Sequence, residues 1–204
     1  MKLFLTLAAS VLSLSLSAQT VARMNDLKPE QKAAATNLKL TGQLSTSGNS
    51  DFRQLRDLCY QLRHVDLSLA DCENIPNNAF HSRPVLETIV LPTQVKSIGS
   101  QAFFACHSLR NITLPKSVTR VGDAAFSSCE NLKEITIEGN PMLGEFAFAR
   151  LKGLRTVRVN AAEPPVAAVS AFEGIDRKKV KLIVPRGSEL KYRKAAGWSR
   201  FFST

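Results

Sequence analysis

The sequence is poor in the residues from which most enzymes build a reaction centre. It contains three histidines and four cysteines among 204 residues, and no Cys-x-x-Cys pair. The patterns His-Glu-x-x-His, Gly-x-Ser-x-Gly and a glycine-rich phosphate-binding loop are all missing. We therefore expect no catalytic centre, no bound metal and no cofactor.

Long apolar runs are also rare, and the one present lies at the N-terminus. Lys2 is followed by an apolar run from Leu3 to Leu16 and by small residues up to Ala18, the pattern of a secretory signal peptide. No later segment approaches the roughly 18–20 apolar residues that a transmembrane helix needs. The sequence therefore predicts a signal peptide at residues 1–18, no transmembrane segment, and a protein that is exported and periplasmic, cell-surface or extracellular.

What the sequence does contain is a repeat with a period of about 23 residues. The segments Leu86 to Cys106 and Leu109 to Cys129 carry apolar residues, a proline, a glycine, an Ala-Phe pair and a cysteine at matching positions. The Ala-Phe pair recurs five times at spacings of 22–24 residues. Its phenylalanines are Phe80, Phe103, Phe126, Phe148 and Phe172.

Each Ala-Phe pair follows a short segment of the form Leu-x-x-Ile-x-Leu, as in Leu109, Ile112 and Leu114. The alternation of apolar and polar residues predicts a strand with one buried face. One unit cannot bury its own apolar side, but stacked units can, with parallel strands about 4.8 Å apart. We predict an α/β solenoid: a right-handed leucine-rich repeat with a parallel sheet, about five coils of 22–26 residues, and a continuous stack of the five phenylalanines.

Segments at both ends are expected to close the solenoid, because exposed parallel edges pair with other chains. Residues 19–35 form a predicted polar N-terminal segment and residues 36–204 the repeat domain. Within that domain, 36–61 form an N-terminal cap, 62–179 the repeats and 180–204 a C-terminal cap. The predicted cap helices run from Asp51 to Leu62, with Asn49 or Ser50 as N-cap, and from Glu189 to Ala196, with Ser188 as N-cap.

The four cysteines replace aliphatic residues of the repeat, and we interpret all four as buried thiols. The alternative is a disulfide between Cys106 and Cys129, because stacked coils bring equivalent positions within reach. Gly99, Gly122 and Gly144 each precede a phenylalanine by four residues. There we expect tight turns with positive φ.

The chain is basic, with a formal charge of +10, and residues 176–200 hold nine basic side chains against two acidic ones. The basic patch predicted there consists of Arg177, Lys178, Lys179, Lys181, Lys191, Arg193 and Lys194. Such a patch suits an acidic partner such as an anionic polysaccharide, or is a solvated surface without a partner. Aromatic residues do not interleave the charges, so nucleic acid is not expected as a partner.

The repeat resembles a known family. The stretch from Ile98-Gly-Ser-Gln-Ala-Phe to Asn111-Ile-Thr-Leu-Pro115 is similar to the BspA-like leucine-rich repeats of bacterial surface proteins. The resemblance covers roughly residues 36–202 and weakens at the fourth coil, where Gly139-Asn-Pro141 replaces the usual proline and valine positions. It implies an exported or surface protein that attaches to host proteins or other cells, with no catalytic residues or cofactor to carry over.

His64, Asp66 and Ser68 supply the residue types of a Ser-His-Asp triad. They lie along one predicted strand, where positions i and i+4 are about 13 Å apart, too far for a hydrogen bond. His81 and His107 hold non-equivalent repeat positions without partnering carboxylates. We interpret all three histidines as surface residues.

The outward-facing strand positions are the remaining candidate surface, and stacking aligns them in two columns. The first column is His64, Thr88, Asn111, Glu134 and Thr156, and the second is Asp66, Val90, Thr113, Thr136 and Arg158. We predict a non-catalytic binding or adhesion module for a host or cell-surface protein or glycan, with this face as its binding site. The alternative is a structural or polysaccharide-associating protein that acts through the basic C-terminal patch.

Overall fold

The chain folds into a parallel-sheet solenoid of about six turns. The computed structural model describes residues 20–47 and 50–202, and the predicted signal peptide lies outside them. The strands in chain order are β1 (Thr20–Ala22), β2 (Asn37–Gln43), β3 (His64–Asp71), β4 (Asn74–Ile75), β5 (Thr88–Val90), β6 (Ser97–Ile98), β7 (Asn111–Leu114), β8 (Arg120–Val121), β9 (Glu134–Ile137), β10 (Met142–Leu143), β11 (Thr156–Val159) and β12 (Lys181–Ile183). The α-helices are α1 (Pro29–Ala34), α2 (Asp51–Asp57) and α3 (Glu189–Lys194).

The strands that the repeat predicts are divided between two four-stranded parallel sheets. We call these two sheets together the front sheet. One has the order β1-β2-β3-β5 and the other β12-β11-β9-β7. No strand pairing joins β5 to β7 in the described residues. The residues that directly precede β5 and β7 are nevertheless adjacent, because the amide of Arg110 donates to the carbonyl oxygen of Glu87 at 3.1 Å.

A third sheet, which the sequence analysis did not predict, runs in the order β10-β8-β6-β4; we call it the back sheet. Its strands are only two residues long, and each buries one aliphatic side chain, such as Ile98 and Val121. Two residues are too few to show the alternation by which a strand is recognised in a sequence. The pairing of equivalent positions, Ile98 with Val121, extends the repeat to this side of the solenoid.

The repeated phenylalanines form the predicted continuous stack. Consecutive rings between Phe80 and Phe172 have centroids 4.9–5.5 Å apart and lie within 15° of parallel. Phe52 meets one end of the stack edge-on at 6.1 Å, and Trp198 meets the other at 5.2 Å. The five stacked side chains are at most 1% exposed, so the stack contributes apolar burial and ring contacts in every coil.

The prediction of positive φ at the repeated glycines is wrong. Positive φ in these turns falls two residues later, at 55° for Gln101 and 51° for Ala124. The glycines instead allow the backbones of neighbouring coils to approach each other closely. A Cβ built on Gly99 would lie 2.5 Å from the amide nitrogen of Asn77, and one on Gly122 would lie 2.5 Å from that of Ser100. Each glycine thus lets a coil rest on the backbone of the coil before it.

The N-terminal part differs in detail from the prediction. β1 lies in the segment predicted as a polar extension and adds a strand ahead of β2, in parallel register with it. Helix α2 ends at Asp57 rather than Leu62, and Leu58, predicted on its buried stripe, is 42% exposed. Ser50 caps α2, since its hydroxyl oxygen accepts a hydrogen bond from the amide of Arg53 at 3.2 Å.

Helix α2 ends early where a buried arginine binds one carbonyl group in its last turn and another just beyond its end. The guanidinium of Arg83 donates to the carbonyl oxygen of Arg56 at 2.6 Å and to that of Cys59. These contacts satisfy acceptors that a longer helix would have used internally. Arg83 thereby ties α2 to the first Ala-Phe turn.

The C-terminal part is built around two buried aromatic residues. Helix α3 is two residues shorter than predicted, and Ser188 at its start makes no side-chain capping bond. The Tyr192 hydroxyl donates to the carbonyl oxygen of Ala161 at 2.7 Å, and the Trp198 indole donates to that of Pro165 at 2.6 Å. Both side chains are fully buried, so the segment packs tightly on the last coil.

Candidate functional site

The front sheet brings the predicted surface residues into register. In the first column His64 pairs with Thr88, and Glu134 pairs with both Asn111 and Thr156. In the second column Asp66 pairs with Val90, and Thr136 pairs with both Thr113 and Arg158. Each column is divided once, between β5 and β7, where the sheet pairing stops.

Contacts within the face hold several of these side chains in place. His64 Nδ1 lies 2.8 Å from Thr88 Oγ1, and Lys39 of β2 lies 2.9 Å from the carboxylate of Asp66. Partial burial acts to raise the pKa of Asp66, but hydrogen bonds from Ser68 and Lys39 outweigh it and lower the pKa below its usual value. Asp66 is therefore a carboxylate at neutral pH.

The division of the front sheet leaves a groove on this face. It has a volume of about 300 Å³ and is lined by Val90, Asn111, Thr113, Pro115 and Glu138 among others. Val90 is 49% exposed, the largest apolar exposure in the two columns. The groove thus combines an apolar wall with hydroxyl, amide and carboxylate groups, which suits recognition of a ligand more than chemistry on one.

The structure does not assemble the residue types of the triad. His64 contacts Thr88, while Asp66 accepts a hydrogen bond from the backbone amide of Ser68 at 2.8 Å. His81 stacks on Phe104 with ring centroids 5.1 Å apart. Among residues 20–47 and 50–202, no group of three or more His, Cys, Asp or Glu side chains is placed to hold a metal ion.

The four cysteines are free and buried, as their repeat positions predicted. Cys106 and Cys129 donate to the carbonyl oxygens of Phe80 and Phe103, each at 3.1 Å. Burial raises the pKa of Cys59 to about 11 and also raises the pKa of Cys129. Thiols with raised pKa values are poor nucleophiles at neutral pH, so these groups act as small apolar side chains.

The basic C-terminal patch is partly occupied by contacts within the chain. Lys179 pairs with Asp176 at 2.9 Å, and Lys191 pairs with Glu163. The guanidinium of Arg177 donates to the carbonyl oxygen of Phe172 at 2.8 Å, and that of Arg193 lies 4.5 Å above the ring of Phe202. Of the seven patch residues, Lys179 and Lys191 make an ion pair within the described part of the chain, and Lys178, Lys181 and Lys194 make neither an ion pair nor one of the other two contacts.

The sequence analysis missed a row of charged residues beside the first column. Each row member directly precedes a front-sheet strand, so reading the repeat one position earlier would have found it. The row consists of Arg63, Glu87, Arg110, Lys133 and Arg155. Its cations outnumber its single carboxylate, which makes this edge of the front sheet basic.

None of the helices in the described part of the chain is long and apolar enough to cross a membrane.

Two solved bacterial proteins are similar to this chain. The T. pallidum leucine-rich repeat protein is 22% identical, with a TM-score of 0.47, over 70% of this chain and 65% of its own. A leucine-rich repeat protein from Bacteroides ovatus is 19% identical, with a TM-score of 0.45, over 75% of this chain and 41% of its own. The chain therefore spans less than two thirds of either protein's length. No curated protein matches it.

The repeats themselves match a described family. The BspA type leucine rich repeat region matches residues 73–182 in six copies, more than half of the 204 residues. This stretch contains β5, β7, β9 and β11 of the front sheet, the whole back sheet and the five stacked phenylalanines. The chain belongs to the BspA-type leucine-rich repeat family.

Proposed function

We propose that this protein is an exported, non-catalytic binding or adhesion module, and that its exposed front-sheet face recognises a host or cell-surface protein or glycan. Family membership suggests a repeat-based binding or surface module. The single observation that supports the face as the site is the alignment of its two columns in register across the parallel strands. Such a surface repeats similar groups at a fixed spacing, as extended repeat proteins do when they bind partners.

The cellular location of the protein is part of the same proposal. Residues 1–18 carry the sequence pattern of a signal peptide, which would deliver the protein to the periplasm, the cell surface or the medium. Proteins of this type are commonly found at such sites, and the basic charge and polar front face suit a water-exposed setting.

The end segments are proposed as caps. Phe52 of α2 covers one end of the phenylalanine stack, and Trp198, which follows α3, covers the other. Without these segments the outermost coils would expose aromatic rings to water, at a cost of roughly 1.5–3 kcal/mol per ring. Capping explains why both segments bury large aromatic residues that lie outside the regular repeat.

Three substitutions on the second column test the binding face. Thr113→Glu, Thr136→Glu and Arg158→Glu together place carboxylates along β7, β9 and β11 without touching the buried side of the sheet. We expect that an array of extracellular matrix proteins and cell-surface glycans no longer captures this variant. Three neighbouring carboxylates and the loss of the original hydrogen-bonding groups oppose binding of any ligand seated there.

The matched control makes the same change in charge on the back sheet, as Asn74→Glu, Ser97→Glu and Arg120→Glu. It should bind the array as the unaltered protein does, and circular dichroism should show both variants folded. Retained capture by the front-sheet variant would exclude that face, and turnover of a substrate panel by the purified protein would exclude a non-catalytic role.

A further inference from the structure

Three basic residues lie one above another along the edge of the front sheet where the chain enters each strand. The amide of Lys133 donates to the carbonyl oxygen of Arg110 at 2.8 Å, and that of Arg155 donates to Lys133 at 2.9 Å. Parallel strands stand about 4.8 Å apart, so three cations follow one another at nearly that interval. We call Arg110, Lys133 and Arg155 the entry column. Lys181 of the next coil lies beside it, in register with Thr156.

The chain neutralises little of this charge. Arg110 pairs with Glu87 at 2.8 Å, and the same carboxylate is shared with Arg63. In the described residues Lys133 and Arg155 make no ion pair, and both are exposed. Like charges on neighbouring strands repel each other. An external anion bound along the column would relieve that repulsion.

The acidic side chains near the column are already engaged with other cations. Glu130 pairs with Lys152 at 2.7 Å, and Glu134 lies 3.9 Å from Arg158. Glu87 is shared between Arg63 and Arg110. The field along the entry column is therefore positive over its whole length, because each nearby carboxylate has its own counter-charge.

A cleft opens between the first two members of the column. It has a volume of about 290 Å³ and is lined by Glu87, Ser108, Arg110, Asn131 and Lys133. The Asn131 side chain is held by its hydrogen bond to the carbonyl oxygen of His107 at 2.8 Å. The cleft is large enough for a sulfate or carboxylate group, which Arg110 and Lys133 would approach from two sides.

We propose that the entry column binds a linear anionic polysaccharide that runs along the solenoid axis. The regular spacing of the cations suits a ligand with regularly spaced charges. The neighbouring column offers the amide of Asn111 and the hydroxyl of Thr156, which hydrogen-bond to sugar hydroxyls. Neither column holds the tryptophan or tyrosine that base stacking or a tight protein interface favours. The ionic contacts of the proposal do not depend on the binding face, since no entry-column residue belongs to it. Only the hydrogen bonds to sugar hydroxyls would come from that face.

Titration of the full chain with dextran sulfate at several salt concentrations tests this assignment. The variant Lys133→Glu with Arg155→Glu should bind about tenfold or more weakly, because two of the three cations of the column become anions. The slope of log Kd against log salt should fall by roughly two, one for each charge contact removed. The variant should remain folded by circular dichroism, since both substituted side chains are exposed.

The matched control is Lys116→Glu with Arg120→Glu, an equal change in charge at exposed positions away from the column. It should keep dextran sulfate affinity within about twofold, because solution ions screen distant charges. An equal loss in the control would overturn the proposal in favour of a net-charge effect. If affinity for dextran sulfate were lost only in the triple variant Lys191→Glu, Arg193→Glu and Lys194→Glu, the ligand would be assigned to the basic C-terminal patch.

Two further outcomes would also overturn the proposal. Equal affinity for uncharged dextran would show that charge does not drive binding. Equal affinity for polyglutamate of the same charge density would assign the column to acidic proteins instead of polysaccharides. The expected order of affinity is dextran sulfate above polyglutamate, with no measurable binding of dextran.

Discussion

At the scale of single residues, the coils are positioned by the contact between glycine and backbone. Gly122 lies against the backbone of Gly99 and Ser100, so that a methyl group at this position would come within 2.5–2.9 Å of three main-chain atoms. Backbone atoms packed between two coils cannot move aside as the end of a flexible side chain can. The spacing between consecutive coils therefore depends on the absence of a Cβ.

The substitution Gly122→Ala tests this dependence. We expect it to lower the free energy of unfolding by about 3 kcal/mol, the upper part of the range for overpacking a tight interior. Gly187→Ala is the matched control, because its φ of +85° is strained for alanine but no atom lies within 4 Å of the new Cβ. It should cost only about 1–2 kcal/mol. Urea unfolding of the two variants measures the difference, and equal losses would show that the close approach is unimportant.

The sequence marks these glycines by their recurrence but does not reveal their role. Both explanations, positive φ and close approach, demand a residue without a Cβ, and only the neighbouring coil distinguishes them. Residues such as Ala124 and Phe146 adopt left-handed backbone without being glycine or asparagine, so nothing in their type predicts it. The cysteines were predictable because their positions in the repeat are shared with aliphatic residues.

At the scale of elements, the phenylalanine stack couples each Ala-Phe turn to the next. Phe126 lies between Phe103 at 4.9 Å and Phe148 at 5.2 Å, nearly parallel to both. Loss of one ring leaves a cavity in the centre of the stack that neighbouring coils cannot close without giving up their backbone hydrogen bonds.

We expect Phe126→Ala to destabilise the protein by about 3–5 kcal/mol, the range for removing a buried aromatic side chain. The control Phe146→Ala removes the same atoms from a ring that is 44% exposed and outside the stack. Its effect should stay within about 0.5 kcal/mol. Thermal unfolding followed by circular dichroism gives both values. Similar losses for the two variants would contradict a structural role for the stack.

The strands of the front sheet and the stack could be predicted because both depend on a pattern that recurs over several units. The back sheet could not, since each of its strands contributes only one buried residue, such as Ile75 or Leu143. The length of α2 was overestimated for a related reason. Its apolar spacing continues past Asp57, but the carbonyl groups that a longer helix would use are taken by Arg83, which is distant in sequence.

At the scale of the whole molecule, the C-terminal segment is the proposed cap of the last coil. Phe172 contacts Trp198 at 5.2 Å and Phe201 at 5.0 Å, and these two rings close the stack on that side. Removing residues 186–204 would expose the ring of Phe172. We expect the shortened protein to self-associate, because an exposed aromatic surface favours pairing between copies.

Analytical ultracentrifugation checks this prediction. The matched control ends at residue 202 and retains Trp198 and Phe201, so it should sediment as the full chain does. A shortened protein that stays folded and sediments as the full chain would contradict the proposed cap.

The binding face and the entry column differ in how far the sequence predicts them. The members of the two face columns could be named because each strand alternates inward and outward positions. The entry column lies at the corner where the alternation begins, and two consecutive outward residues there, such as Lys133 and Glu134, obscure the pattern. Which of its cations keep an acidic partner depends on side-chain reach between coils, and only the folded chain shows it.

The burial of Trp198 has an optical consequence. It is the one tryptophan of the chain and contacts Phe172, Tyr192 and Phe201 at a single end of the solenoid. Indole emission therefore reports on the local surroundings of the last coil, whereas far-ultraviolet dichroism averages over every strand. If the solenoid unfolds from this end first, the emission maximum shifts to longer wavelength before the dichroic signal decays. The interval between the two transitions then measures how strongly neighbouring coils unfold together.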